Sequence, residues 1–486
     1  MKKNLPFILT AITFAGLLAA CGGQSVSSST GTSSGSGATT SSSGTSSATS
    51  TTATSASGRT TSGAISVTSG SKTYDKYDIT SSTSDESAVK VAGSGAKALI
   101  TNSSVIKSGN TSSADNSSFY GLNASMLSTN GYLYSKETCV TSTAEGGAGL
   151  CAAGSSAYAY GYQMAITTTA NAAGGFHVCN DGTLYGYNSV ISTSGEHSAA
   201  LRSDRGGGTM EIEKGTYTSI GAGSPAIYCT ADIEVKDADL KAGGSEAFAM
   251  EGLNTTSLFD STLEGACPSS SQNDNIQWNV ICYQSMSGDS TSGTGRFNMV
   301  GGTLTADKGG MFFGTNTDAE FYIKGVTLVP SSENPFLLRA TGISRWSNSY
   351  SAMKTHFTAE DETMTGDIIH DTMSGMTVDL IGATTWSGAS TLSTSYSGSK
   401  TSTINIGANS KWIVTGDSVI GNLYNAGSIV DASGNTVTIK VNGVTKVSGT
   451  SSYSVNVSST YSASDNTSSA LTSPTWVDLP DFPSSL

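Results

Sequence analysis

Large apolar residues in this chain fall at alternate positions in short runs, and Gly, Asn and Asp separate the runs. That alternation predicts strands joined by tight turns. The runs also repeat. Val140, Ile166, Ile191, Tyr217, Leu240, Leu263, Leu304 and Leu328 occupy equivalent places in "TCVTST", "MAITTT", "SVISTS", "GTYTSI", "ADLKAG", "STLEGA", "GTLTAD" and "GVTLVP". The steps between them are 26, 25, 26, 23, 23, 41 and 24 residues. The step of 41 reads as one period plus an insertion holding Cys267 and "SSSQNDN". A second column in phase is Leu201, Ile227 and Phe248, and a third is Ile212, Val235 and Leu258.

Several apolar columns per period, with turns between them, predict a coil of parallel strands. Each rung stacks on the next at about 4.8 Å, so roughly fifteen rungs give a rod on the order of 70 Å long. A single rung has no core, and stability comes from stacking neighbours. Such short connections leave no room for crossover helices, which requires a solenoid. A β-propeller, with periods of about 40–45 residues, and a β-sandwich fit these columns less well.

The ends differ from the body. Lys2 and Lys3 precede an apolar run, and the run closes on Leu18-Ala19-Ala20-Cys21. This is the layout of a secretory signal, too short for a membrane span. Its last four residues resemble the lipobox of bacterial lipoproteins, which implies cleavage before Cys21 and a lipid on its sulfur. Gly22, where an inner-membrane retention aspartate would stand, implies the outer membrane or cell surface. Gln24 to Gly58 is almost wholly Ser, Thr, Gly and Ala. Such a segment buries too little apolar surface to order itself, and it predicts a flexible tether spanning roughly 35 Å. The expected organisation is a signal peptide over 1–20, a tether over 21–62, a parallel β-helix over 63–447 and a low-complexity tail over 448–486. The lipid reads as the anchor.

Residues from about 98 to 445 resemble the pectin-lyase-like, right-handed parallel β-helix proteins, and within them the adhesin-like surface proteins of bacteria. "SAALRSDRGGGT" (198–209), "GTYTSIGAGSPAIY", "YQSMSGD" and "WIVTGDSVIGNLYNAGSI" carry the likeness. The fold class it implies is all-β, a single-stranded right-handed solenoid. Handedness comes from the resemblance alone.

Seven cysteines less Cys21 leave six, an even number that suggests disulfides in an exported chain. Cys139 with Cys151, and Cys267 with Cys282, each bracket one Gly- or Ser-rich excursion and are the candidate pairs. Cys179 and Cys229 are expected as buried small hydrophobes. The formal charge is −13, becoming −15 once Lys2 and Lys3 are removed. An acidic chain without a Lys/Arg cluster argues against nucleic acid. The four histidines show no paired metal spacing, so no zinc site is expected. Calcium stays open because carboxylates are scattered along the turns, although no EF-hand loop is present.

"SAALRSDRGGGT" concentrates charge in a chain that is only 13% charged. With Leu201 pointing in, Arg202 points out in register with Tyr228 and Ala249, and Asp204 lies near Thr230 and Glu251. Arg202, Asp204, Arg205, Tyr228 and Glu251 are therefore the candidate ligand-binding residues: an aromatic face for stacking on a sugar, and charged groups for its hydroxyls. The competing reading is a braced corner, in which Asp204 accepts turn N–H groups, an arginine neutralises it, and Gly206 to Gly208 supply the tight backbone. Asn316 to Asp318 spells the "NTD" of polygalacturonases without that family's other motifs, and reads as a rung turn. The expected function is a surface-displayed, monomeric adhesin or carbohydrate-binding protein without catalytic residues. The alternative is a polysaccharide lyase or glycoside hydrolase acting on acidic polysaccharide.

Overall fold

The structure is a computed structural model, and it describes residues 53–54, 58–285, 287–345 and 353–486. Cys21, with the expected signal peptide and most of the expected tether, lies outside the described residues. The chain forms a parallel β-helix. A 35-stranded ladder and two 4-stranded ladders wrap three faces around one core. Long strands such as Gly182–Thr193 and Gly208–Ser219 turn the corner between two faces, which joins those faces into one ladder.

All three sequence columns stack in register. Val140, Ile166, Ile191, Tyr217, Leu240, Leu263, Leu304 and Leu328 are successive partners on one face. Leu201, Ile227 and Phe248 line up on a second face, and Ile212, Val235 and Leu258 on the third. Apart from partly buried Leu328, these residues are buried in the main core. Each contributes about 1.5–3 kcal/mol by leaving water. Towards the C-terminus the indoles of Trp386 and Trp412 stack at 4.7 Å, and their N–H groups donate to Gly366 O and Gly388 O. The extra length in the 41-residue step leaves the helix as two excursions, 266–277 and 284–293, on either side of strand Trp278–Tyr283.

One corner explains the scattered Asn, Asp and Gly. Asn188, Lys214, Asp237, Asp260, Gly301, Gly325, Asp361 and Gly382 all have φ between 46° and 68°. Asn and Asp are the side chains that best tolerate this left-handed region, and Gly meets no Cβ penalty there. At several rungs an inward hydroxyl follows and accepts an N–H from the preceding rung: Ser189, directly after Asn188, from Met164; Ser261, directly after Asp260, from Ala238; and Thr384, two residues after Gly382, from Glu362. Glu362 performs the same task with a carboxylate, 2.7 Å from the Val326 nitrogen. Asn316 of the "NTD" triplet is likewise a left-handed turn residue, φ 54°, leading into strand Asp318–Lys324.

The low-complexity stretch from 448 onward is ordered against the body. Strands Ser454–Val457 and Tyr461–Ser462 pair with the last rungs. The chain then runs back along the outside of the third face. Leu471 donates to Thr358, Trp476 lies 5.9 Å from Phe259, the Tyr162 hydroxyl donates to Pro480 O at 2.6 Å, and Phe482 packs 4.9 Å from Tyr162. The rungs beneath it are linked through Thr358, Tyr322, Asn298, Ser257, Glu234, Glu211, Tyr185, Tyr160 and Tyr134. Eight spacings of about 4.8 Å match the reach of residues 471–482 at about 3.4 Å each, so this strap is close to fully extended.

Candidate functional site

On the second face the outward column runs Cys151, His177, Arg202, Tyr228, Ala249, Ile281, Phe313. Such positions on a bare solenoid would face water. Here they are mostly buried, because two irregular covers sit on them. The first is a short helix, α1 (Ala114–Tyr120), which the strand pattern did not foretell. Its local signals are Ser113, whose side chain caps the Asn116 N–H, and Gly121, whose φ of 67° ends it. The second cover is the 266–277 excursion with Phe336 and Ile343, which together with Ala249, Trp278, Ile281 and Phe313 forms a separate apolar cluster outside the helix.

Between the covers lies a cleft of about 740 Å³. Arg202, Asp204, Tyr228 and Glu251 all line it, so the structure brings four of the five candidate residues to one place. Arg202 and Asp204 are 6% and 4% exposed and form an ion pair at 2.8 Å. Arg202 also donates to Ser118 on α1 and to Ala172 O, and the other Asp204 oxygen accepts the Arg205 N–H. This is the bracing geometry: corner, preceding rung and helix cover are held by one guanidinium. Gly206, Gly207 and Gly208 all have positive φ, and Cβ atoms there would strike backbone of neighbouring rungs.

Arg205 is not part of the main cleft's lining. Its guanidinium lies 3.8 Å over the Phe119 ring and bonds Asp289 at 2.8 Å, and that hydrogen bond raises its pKa. It lines a second cleft of about 620 Å³, shared with Gly206 to Gly208 and Asp289. Arg205 thus ties the α1 cover to the 284–293 excursion.

Glu251 is 1% exposed. The Tyr228 hydroxyl donates to one carboxylate oxygen at 3.2 Å, and the Ser285 and Ser287 hydroxyls donate to the other. Burial holds the Tyr228 phenol well above its usual range, with Tyr283 and Glu251 adding to the shift. Burial likewise pushes Tyr283 up, helped by Glu251 and Glu246. The sequence reading missed Asp115, Phe119, Glu246, Trp278 and Tyr283, all of which line the cleft. Trp278 and Tyr283 bound a strand inside the irregular step, and that step was the available signal. The Trp278 indole N–H is buried without a hydrogen-bond partner. Among the described residues, no group of three or more His, Cys, Asp or Glu side chains is gathered for a metal ion.

The cysteines correct the expected pairing. Cys151, Cys267 and Cys282 are free and buried, so neither Cys139–Cys151 nor Cys267–Cys282 forms. Cys139 lies on strand Cys139–Ser142 of the first face, while Cys151 points outward from the second face into a small apolar cluster. Cys267 belongs to the outer apolar cluster, whereas Cys282 points into the main core. Loop length favoured both pairs, but Cys139 and Cys151 lie on different faces, and Cys267 and Cys282 lie on opposite sides of the helix wall. Cys179 faces out and Cys229 in, both free and buried.

The cleft combines aromatic rings, hydroxyls and carboxylates, a lining suited to a polyhydroxylated ligand. Compared with known proteins, the chain matches no family model and no curated relative.

Proposed function

We propose that this chain is a lipid-anchored bacterial surface protein of the pectin-lyase-like, right-handed β-helix class, and that it binds carbohydrate without catalysis. The observation that carries the reading is the cleft of about 740 Å³ beside Tyr228, Trp278 and Glu251. It mixes apolar ring surface with a few convergent polar groups, as small-ligand sites do. Asp204 and Asp289 are held by arginines, and so act as fixtures of the site. The lipobox-like end at Cys21 and the Ser/Thr-rich tether support display away from a membrane. More than one acyl chain, as lipoproteins of that class carry, is needed for a lasting hold.

A glycan array probed with the full mature chain, with and without calcium, tests the binding reading, and retention of at least one glycan class is expected. Retention of none would sink it. The enzymatic alternative calls for a steady ultraviolet rise from new C=C bonds in polygalacturonate or alginate, and none is expected. For the anchor, Cys21→Ala should release the body from membranes or leave an uncleaved precursor. Unchanged membrane fractionation would contradict it.

A further inference from the structure

The cleft has an unequal balance of charge. Arg202 is neutralised by Asp204, and Arg205 by Asp289. Among the carboxylates lining the cleft, Asp115, Glu246 and Glu251 make no salt bridge with any described Lys, Arg or His. Arg345 is the other cation in the lining, and it donates to Asn273. Glu251 is the most telling of the three. A carboxylate removed from water is normally paired with a cation, because hydrogen bonds from neutral groups offset only part of the lost hydration. The three donors to Glu251 are neutral hydroxyls. The site therefore holds a buried carboxyl with no cationic partner among the described residues, a place that a cationic ligand would fill.

Two further features narrow the ligand. Tyr228, Trp278 and Tyr283 present aromatic rings in the same cleft, and such rings attract both pyranose C–H surface and ammonium groups. The unpartnered Trp278 N–H is a buried donor lacking an acceptor, which a ligand hydroxyl would supply. From these observations, and resting on the carbohydrate reading above, we infer that the cleft selects an amino sugar with a free primary ammonium, a 2-amino-2-deoxyhexose unit, with Glu251 as its counter-charge. Acidic polysaccharide would instead bring carboxylates to a surface that already has a surplus of them.

The experiment is calorimetry on the full mature chain at pH 5.5 with three tetramers: a fully deacetylated 2-amino-2-deoxyglucose oligomer, its fully N-acetylated counterpart, and an oligogalacturonate. The deacetylated tetramer should bind at least ten-fold more tightly than the other two and quench tryptophan fluorescence. Glu251→Gln should abolish that preference, and Trp278→Phe should abolish the quench. If Glu251→Gln does not fold, the preference of the parent and the Trp278→Phe quench decide the matter alone. Equal or tighter binding of the N-acetylated or uronate tetramer overturns the inference and leaves the carbohydrate reading standing. Binding of none of the three overturns the inference, and the glycan array then decides the carbohydrate reading separately.

Discussion

The guanidinium of Arg202 and the carboxylate of Asp204 meet at 2.8 Å in the wall of the cleft, both nearly excluded from water. The pair stands at the junction of a rung, its corner and the α1 cover. Removing one partner strands the other charge, and such a loss costs about 3 kcal/mol or more. Asp204→Ala should therefore lower the unfolding free energy by about that amount in a denaturant titration. A melting curve superimposable on the parent would show that the pair is not a brace.

Gly207 has φ 61°, and a Cβ there would lie 2.8 Å from Thr230 O. Gly207→Val adds a branched side chain to a left-handed residue as well as a clash with backbone. A cost of about 1–3 kcal/mol is expected from the strain, read as a lower midpoint at an unchanged denaturant slope.

The strap predicts an effect far from its own sequence. Phe482 packs on Tyr162 and Tyr134, and Pro480 accepts the Tyr162 hydroxyl. Phe482→Ala should cost about 1–2 kcal/mol through lost ring contacts. Hydrogen exchange should rise in strand Ala157–Tyr162, over three hundred residues earlier in the chain. No change in exchange there would mean that the strap contributes nothing to those rungs.

Glu362 makes stability depend on pH. Burial pushes its carboxyl up to about 7, although hydrogen bonds from Val326 and Thr363 oppose the shift. With a folded pKa above the unfolded value, the native state binds the extra proton. This group's contribution is therefore most favourable below about pH 4.5, and it declines as the pH rises to about 7. The ionised form costs about 3 kcal/mol at higher pH. Glu362→Thr restores the residue type that Thr384 uses at the same corner. It should raise stability at pH 8 more than at pH 5, as measured by paired denaturant titrations.

Thiol labelling checks the cysteine placement. Burial pushes Cys229 up to about 12 and also raises Cys267 and Cys282. Cys179 is raised chiefly by its hydrogen bond with Cys151. A thiol reagent at neutral pH should leave Cys151, Cys179, Cys229, Cys267 and Cys282 unmodified in the native chain and label all five in denaturant. Rapid native labelling of any of them would contradict its placement.

The amino-acid sequence determined the solenoid by itself. A residue such as Ile191 must match Ile166 below and Tyr217 above, so the packing rule is written once per period and can be read as a column. The same rule placed Arg202 beside Tyr228 and set both facing outward. Tertiary structure alone decided what covers that face. Arg202 finds Ser118 across 84 residues, and Tyr162 finds Pro480 across 318. The covering segments belong to no period, and their partners are set by where the rungs carry them in space. The cysteines show the same limit. Spacing along the chain favoured a Cys267–Cys282 pair, but Cys267 sits in the excursion that covers the outer face, while the alternation of strand Trp278–Tyr283 turns Cys282 into the core. The cleft exists because a short helix and an excursion, neither with a repeating pattern, settled on two parts of one outward column and left the space between them open.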